Sequence, residues 1–301
     1  MKNKILVLML AATLSCTKSG QKVQSPYSVR DYRTVKLFLD TLNVKIRDEY
    51  DSTGSYSVPY ILLGNGKKQV LFFGATHVRD VNHTQFRQLR SLFNTFHPDI
   101  AFHEGGPIPE DRHYASVDSA ILLNGETGVL KVLCDSSGIP MLSGDLNERE
   151  EMSALKKTIP KDQIYLYMAV ERFLNGYKDG YYPGMSLEEG WKHELIPYIQ
   201  DAGLELTKEE ESFDTLKSIY RRYLGKSFSL DSLVKVYEFY LTDDGMLGDV
   251  GRKTKIVRDE ALLSSIEQAL VLHDRVFVVF GMSHLYAVEP ALNEIIQRTG
   301  R

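Results

Sequence analysis

Four side chains able to hold or move a proton, His77, Glu104, Asp145 and His284, each stand just past a short apolar run of the chain. The runs are 70–73, 100–102, 139–142 and 276–280, and the first and last share one pattern: strand, Gly, two residues, His, with Gly74 before His77 and Gly281 before His284. An apolar run without polar alternation marks a strand covered on both faces, which places these segments in a parallel sheet, each glycine ending its strand. In open parallel sheets, ligands collect outside the carboxyl ends of the strands, so the four residues are expected on one rim. Alone, a histidine is ordinarily a hydrogen-bonded structural residue and an acid a helix cap. Four at equivalent positions point to a site, and two imidazoles on one rim point to chemistry.

The elements that must position them alternate. Residues 28–42 carry Val29, Tyr32, Val35, Leu39 and Leu42 at helical spacing. Residues 57–63 and 68–73 are strand-like and joined through Gly64 and Gly66, a hairpin signal, so the sheet starts antiparallel. Phe86, Leu89, Phe93 and Phe96 line one helix face that stops before Pro98, and a helical passage with Val129, Leu130 and Leu133 follows the third run. This spacing indicates βαβ units. From 147 to 250 helix signals dominate: Asn147 as a cap, Ser186 with Glu189 and Thr207 with Glu210 as capping boxes, and Gly225 as a stop. The block is rich in tyrosine, and two compatible readings hold: its aromatics form its own core, or the block caps the rim with tyrosines walling a pocket. A helix over 257–272 and a closing helix over 290–297 flank the last strand. The expected architecture is α/β: a central, mostly parallel sheet with an antiparallel N-terminal hairpin, flanked by helices. The core is 28–146 plus 251–301, with 147–250 as an inserted helical cap.

Composition sets limits. The 301 residues are 43% apolar and 25% charged, an ordinary globular balance. The formal charge is −4, and losing Lys2 and Lys4 with the first 15 residues makes it −6, which argues against nucleic acid as a partner. Lys2, Lys4 and the apolar run 5–14 have the form of a secretory signal too short to span a bilayer. Ser15 and Cys16 resemble a bacterial lipoprotein box, which implies a lipidated Cys16, a polar tether over 17–27, a membrane partner through that lipid, and a place in the cell envelope facing periplasm or exterior. Cys134 is left as a small buried hydrophobe.

The early and late Gly-x-x-His motifs, Glu104 between them, and Arg258 with Asp259 ahead of the second motif resemble the superfamily joining TraB and Tiki proteins, erythromycin esterases and ChaN haem-binding lipoproteins. The resemblance covers about 57–298 and fits the helical block loosely. It departs after the fourth strand, where TraB-like members tend to carry an Asp-Arg pair and this chain has Asp145 with Arg149 displaced. The resemblance implies a hydrolase acting through His77, Glu104, Arg258 and His284. In the Tiki-like form, a divalent metal (Mn, Co or Zn) is held by His77, Glu104, His284 and Asp145 and activates water for peptide or amide cleavage. In the erythromycin-esterase-like form, His77 is a general base on water, with Glu104 orienting it or sharing the proton. Arg258 steadies an anionic intermediate in either, or else simply pairs with a nearby acid. The ChaN-like form is a haem binder with tyrosine ligands. The substrate is a small molecule or a peptide.

Other catalytic signatures fail. Gly281, Ser283 and His284 lack the second glycine of a nucleophile elbow, and His193 with Glu194 meets Pro197 where a zincin needs histidine. No Cys-x-x-Cys pair or Gly-rich phosphate loop occurs.

Overall fold

The computed structural model describes residues 26–53, 56–233, 236–242 and 244–300. The signal-like run, Cys16 and most of the tether lie outside the described residues.

Five strands form one mixed sheet in the order β1-β2-β5-β3-β4: β1 (Tyr60–Asn65), β2 (Lys68–Ala75), β3 (Ile100–His103), β4 (Met141–Ser143) and β5 (Arg275–Gly281). Only the β1/β2 pair is antiparallel, turned at Gly66 with φ 63°; β2/β5, β5/β3 and β3/β4 are parallel. The parallel strands therefore release their chains at one edge, the expected rim. β2 and β5 sit inside the sheet because both faces of each are apolar. Val70, Phe72, Val276, Val278 and Phe280 pack on one side; Leu71, Phe73, Phe277 and Val279 pack on the other. Each such buried side chain contributes about 1.5–3 kcal/mol.

Helices cover both faces. α1 (Tyr32–Thr53) precedes the sheet, and α2 (Thr84–Phe96) and α3 (Val117–Ser137) lie over the face that holds Phe277. α2 turns all four expected aromatic and leucine positions into the core and stops at His97, left-handed at φ 51°, before Pro98. Between β4 and β5, the chain builds a helical block with its own core: α4 (Glu148–Leu155), α5 (Lys161–Met168), α6 (Asn175–Lys178), α7 (Leu187–Gly190), α8 (Ile196–Asp201), α9 (Phe213–Leu224) and α10 (Val236–Thr242). Two π-helical turns, Ala169–Leu174 and Trp191–Leu195, lie among them. α11 (Met246–Leu272) and α12 (Met282–Thr299) pack on the other sheet face.

Several boundaries differ from the sequence reading. α1 starts at Tyr32 rather than 28, because Arg30 turns to bond α12 at Ala287 O and Glu289 instead of joining the helix. α11 begins at Met246 rather than 257; Leu247, Val250 and Val257 enter the core of the helical block, while Leu262, Ile266 and Leu270 enter the sheet core, so no single face runs its whole length. α12 begins at Met282 with Pro290 inside it. A proline within a helix deprives the carbonyl four residues back of its donor. Here that carbonyl, Tyr286 O, takes the Arg30 guanidinium instead. Thr207 and Glu210 exchange their reciprocal cap bonds on a turn rather than a helix, and β2 continues one residue past Gly74.

Candidate functional site

The rim residues converge on Glu104. Its backbone amide extends the β3/β5 ladder to Val279 O at 3.1 Å, which aims the side chain at the start of α12. There Oε2 accepts the Gly281 amide at 2.7 Å and Oε1 accepts Arg258 Nη2 at 2.9 Å. The positive end of the helix dipole adds to the attraction. His77 Nε2 stands 3.6 Å from Oε2, and His284 Nε2 stands 3.5 Å from Oε1, so the carboxylate lies between the two imidazoles. Burial pushes the Glu104 pKa up; the charges of His284, Arg258 and Lys255 outweigh it and hold the group well below the usual carboxylate range.

The glycines of the two motifs are small for a spatial reason. A Cβ at Gly281 would stand 3.0 Å from His77 Nε2 and 3.2 Å from Glu104 Oε2. A Cβ at Gly74 would stand 3.2 Å from Met282 Cα and 3.1 Å from Leu285 Cδ1, so Gly74 lets α12 begin hard against β2. The late glycine thus admits the reacting groups, and the early one admits the helix that carries His284.

Each histidine is oriented by a carboxylate. His77 Nδ1 is 2.6 Å from Glu126 Oε1, and His284 Nδ1 is 2.5 Å from Asp259 Oδ1. An ionised carboxylate only accepts, so both rings carry their proton on Nδ1 and turn Nε2 toward Glu104. The environments then diverge. The His77 side chain is 62% exposed and opens into a cleft of about 370 Å³, whereas His284 is buried and its Nε2 has no hydrogen-bond partner among the described residues. The Glu126 hydrogen bond is the largest influence raising the His77 pKa. For His284, burial pushes down, but Asp259 and Glu104 together push further up. Tyr32, from α1, donates its hydroxyl to Asp259 Oδ2 at 2.8 Å and closes this network from behind.

Arg258 is a strut. Its Nε and Nη2 grip Asp145 at 2.7 and 2.5 Å, and Nη2 also serves Glu104. Asp145 accepts in addition from the amides of Gly105 and Leu146. Four N–H donors occupy the four lone-pair positions of that carboxylate, leaving none for a metal. Asp145, expected among the metal ligands, is thus the arginine's partner, and the salt-bridge reading of Arg258 describes its position.

Two members of the site were not singled out by the sequence reading. Glu126 sits where α3 breaks: Gly125 takes φ 55° and ψ −134°, and a Cβ at Gly128 would strike Ala120 O at 2.3 Å. Two glycines flanking an acid inside an apolar helix were the available signal. Lys255 precedes Arg258 and Asp259 by three and four residues, one face of α11, and its ammonium lies 5.1 Å from the centre of the Tyr240 ring. Burial and the neighbouring Arg258 push its pKa down.

The charges of the cluster explain why the histidines respond. The Glu126 bond and the Glu104 charge raise the pKa of His77, and against the downward push of burial Asp259 and Glu104 raise that of His284. As a metal cradle, the site offers His77 Nε2, His284 Nε2, which has no hydrogen-bond partner among the described residues, and the lone pairs that Glu104 keeps beyond its two N–H bonds. Among the described residues no group of three His, Cys, Asp or Glu side chains is arranged to hold an ion.

Among the described residues no tyrosine of the helical block lines the cleft, although Tyr240 stacks edge-on against Tyr32 at 5.5 Å behind it. Tyr165, Tyr167, Tyr220 and Trp191 are buried in the block's own core. The cleft is lined instead by the loops after β2 and β3 and by the break in α3. A hollow of about 420 Å³ beside Lys131 and Asp135 contains none of the four rim residues.

Comparison of the chain with protein-family models, curated proteins and solved structures found no match.

Proposed function

We propose that this chain hydrolyses an ester or amide bond without a metal, with His77 as the general base. The observation that carries this is the 2.6 Å bond between Glu126 and His77 Nδ1, which leaves a basic Nε2 facing the cleft. A water bound at Nε2 gives up its proton as its oxygen attacks the substrate carbonyl, and the imidazolium returns that proton to the leaving group. Glu126 steadies the imidazolium through Nδ1. Glu104, kept ionised by Arg258 and the α12 N-terminus, steadies it from the Nε2 side. His284 with Asp259 and Tyr32 holds Glu104 in place from the buried side of the cluster.

The resemblance to erythromycin esterases supports the same base, since it implies His77 as general base on water with Glu104 orienting it or sharing the proton; here the bond at Nδ1 gives the orienting part to Glu126. Lipid attachment at Cys16 and a station in the bacterial envelope belong to the proposal through the N-terminal sequence. Labelling cells with an alkyne fatty acid tests that part: the intact protein takes up label, and Cys16→Ser does not.

For the chemistry, the purified protein is screened on p-nitrophenyl esters and acyl anilides beside His77→Ala and elemental analysis of the same sample. The expected result is turnover with no stoichiometric transition metal, and a loss of about 10²–10⁴-fold in the variant. A near-stoichiometric metal that His77→Ala releases, or a variant as active as the parent, overturns it.

A further inference from the structure

The charges lining the cleft are not all matched. His77 is held by Glu126, and Glu104 by Arg258 and the Gly281 amide. The remaining charged group of the lining is Arg79, exposed at the mouth, which makes no hydrogen bond or ion pair among the described residues. It follows His77 by two residues, so its Cα lies within about 7 Å of the histidine's. Besides Glu104 and Glu126, the rest of the lining includes Asn124, Thr127, Ile108 and the backbone of Gly105 and Gly106, where even an added Cβ would meet nothing within 4 Å.

We propose that Arg79 reads a carboxylate on the substrate, so that the bond cleaved belongs to an acyl compound bearing a free carboxylate a few atoms from the reacting carbonyl. This rests on the hydrolytic reading and names its substrate class. A guanidinium presents a planar fork that fits a carboxylate through two parallel N–H bonds. Phosphate has the same fit to the fork, but its second negative charge is repelled by Glu104 and Glu126 in the same lining. The singly charged carboxylate is therefore the favoured ligand. A guanidinium at the mouth also orients the substrate before it reaches His77, which concentrates binding energy on one pose.

The test compares p-nitrophenyl hemisuccinate, which carries the carboxylate, with p-nitrophenyl butyrate, which does not. A hydrogen-bonded charge pair predicts that the parent prefers the hemisuccinate by about 10- to 100-fold in kcat/KM. In Arg79→Gln that ratio falls toward one, and Arg79→Lys, a point charge without the fork, keeps part of it. Glutarate and inorganic phosphate are titrated calorimetrically into the parent and Arg79→Gln as a readout free of turnover. Glutarate binding that needs Arg79, with neither ester hydrolysed, upholds the carboxylate site and sinks the hydrolase. Hydrolysis of both esters at one ratio in parent and Arg79→Gln sinks the carboxylate site and leaves the hydrolase. Phosphate binding tighter than glutarate also overturns the carboxylate assignment.

Discussion

Replacing Glu126 by Gln keeps the shape of the side chain and removes its charge, so it isolates what the carboxylate does for His77. The bond is 2.6 Å long and Glu126 is buried, which makes it a charge-assisted hydrogen bond of the stronger kind. Bonds to a charged partner contribute about 1.5–3 kcal/mol against about 0.5–1.5 for neutral ones. The difference of roughly 1 kcal/mol shrinks somewhat because the His77 ring is 62% exposed and solvent screens the pair. The His77 pKa, raised in the parent chiefly by this bond, therefore drops in the variant. The amide has a second effect. Glutamine can donate to Nδ1, which shifts the ring proton to Nε2 and removes the base from the cleft, the same fault that lowers kcat by about 10⁴ when a triad aspartate becomes asparagine. Activity of a general base rises with pH as it deprotonates. The acid limb of kcat/KM should therefore move to lower pH while the plateau falls by at least about 10²-fold. The stability effect has the opposite pH sense. A raised folded-state pKa stabilises fully below the unfolded value near ~6.5 and ceases to do so as pH rises through the folded value. The melting difference between parent and variant should thus be largest on the acid side and close above neutrality. A pH–rate profile with NMR titration of the His77 ring measures both effects. An unchanged limb and plateau would refute the role given to Glu126.

Three further variants probe the frame. Arg258→Leu leaves Asp145 and Glu104 buried without their counter-ion and should destabilise by about 3–5 kcal/mol in denaturant titration, whereas a strut of no consequence would leave the midpoint in place. Gly281→Ala puts a methyl 3.0 Å from His77 Nε2 at a φ of −53°, which any residue adopts; the strain is confined to the site, so activity should fall steeply for a cost of about 1–3 kcal/mol. A fully active, fully stable alanine variant would contradict the close approach. Tyr32→Phe strips a donor from the buried Asp259 and should cost about 1–3 kcal/mol by thermal unfolding, with α1 still docked by its apolar side.

Much of the frame was legible in order along the chain. The runs 70–73 and 276–280 read as buried parallel strands because a strand covered on both faces has no polar alternation, and their common edge carried His77, Glu104 and His284 to one place. Local caps were equally plain, as at Asn147 and Ser186, because a cap is settled within four residues. The length of α11 was hidden, since one helix serves two cores and its apolar face turns between them.

The sequence by itself therefore determined the α/β class, the rim and the two histidines on it, all consequences of local periodicity and of strands that end at one edge. Only the tertiary structure decided which carboxylate each histidine answers to. Glu126 reaches His77 across 49 positions, and Arg258 reaches Asp145 across 113. Such pairings depend on where helices break and cross, on glycines such as Gly125 and Gly281 that permit close approach, and on burial, which makes every charge find a partner; none of these is written in the spacing of residues along one element.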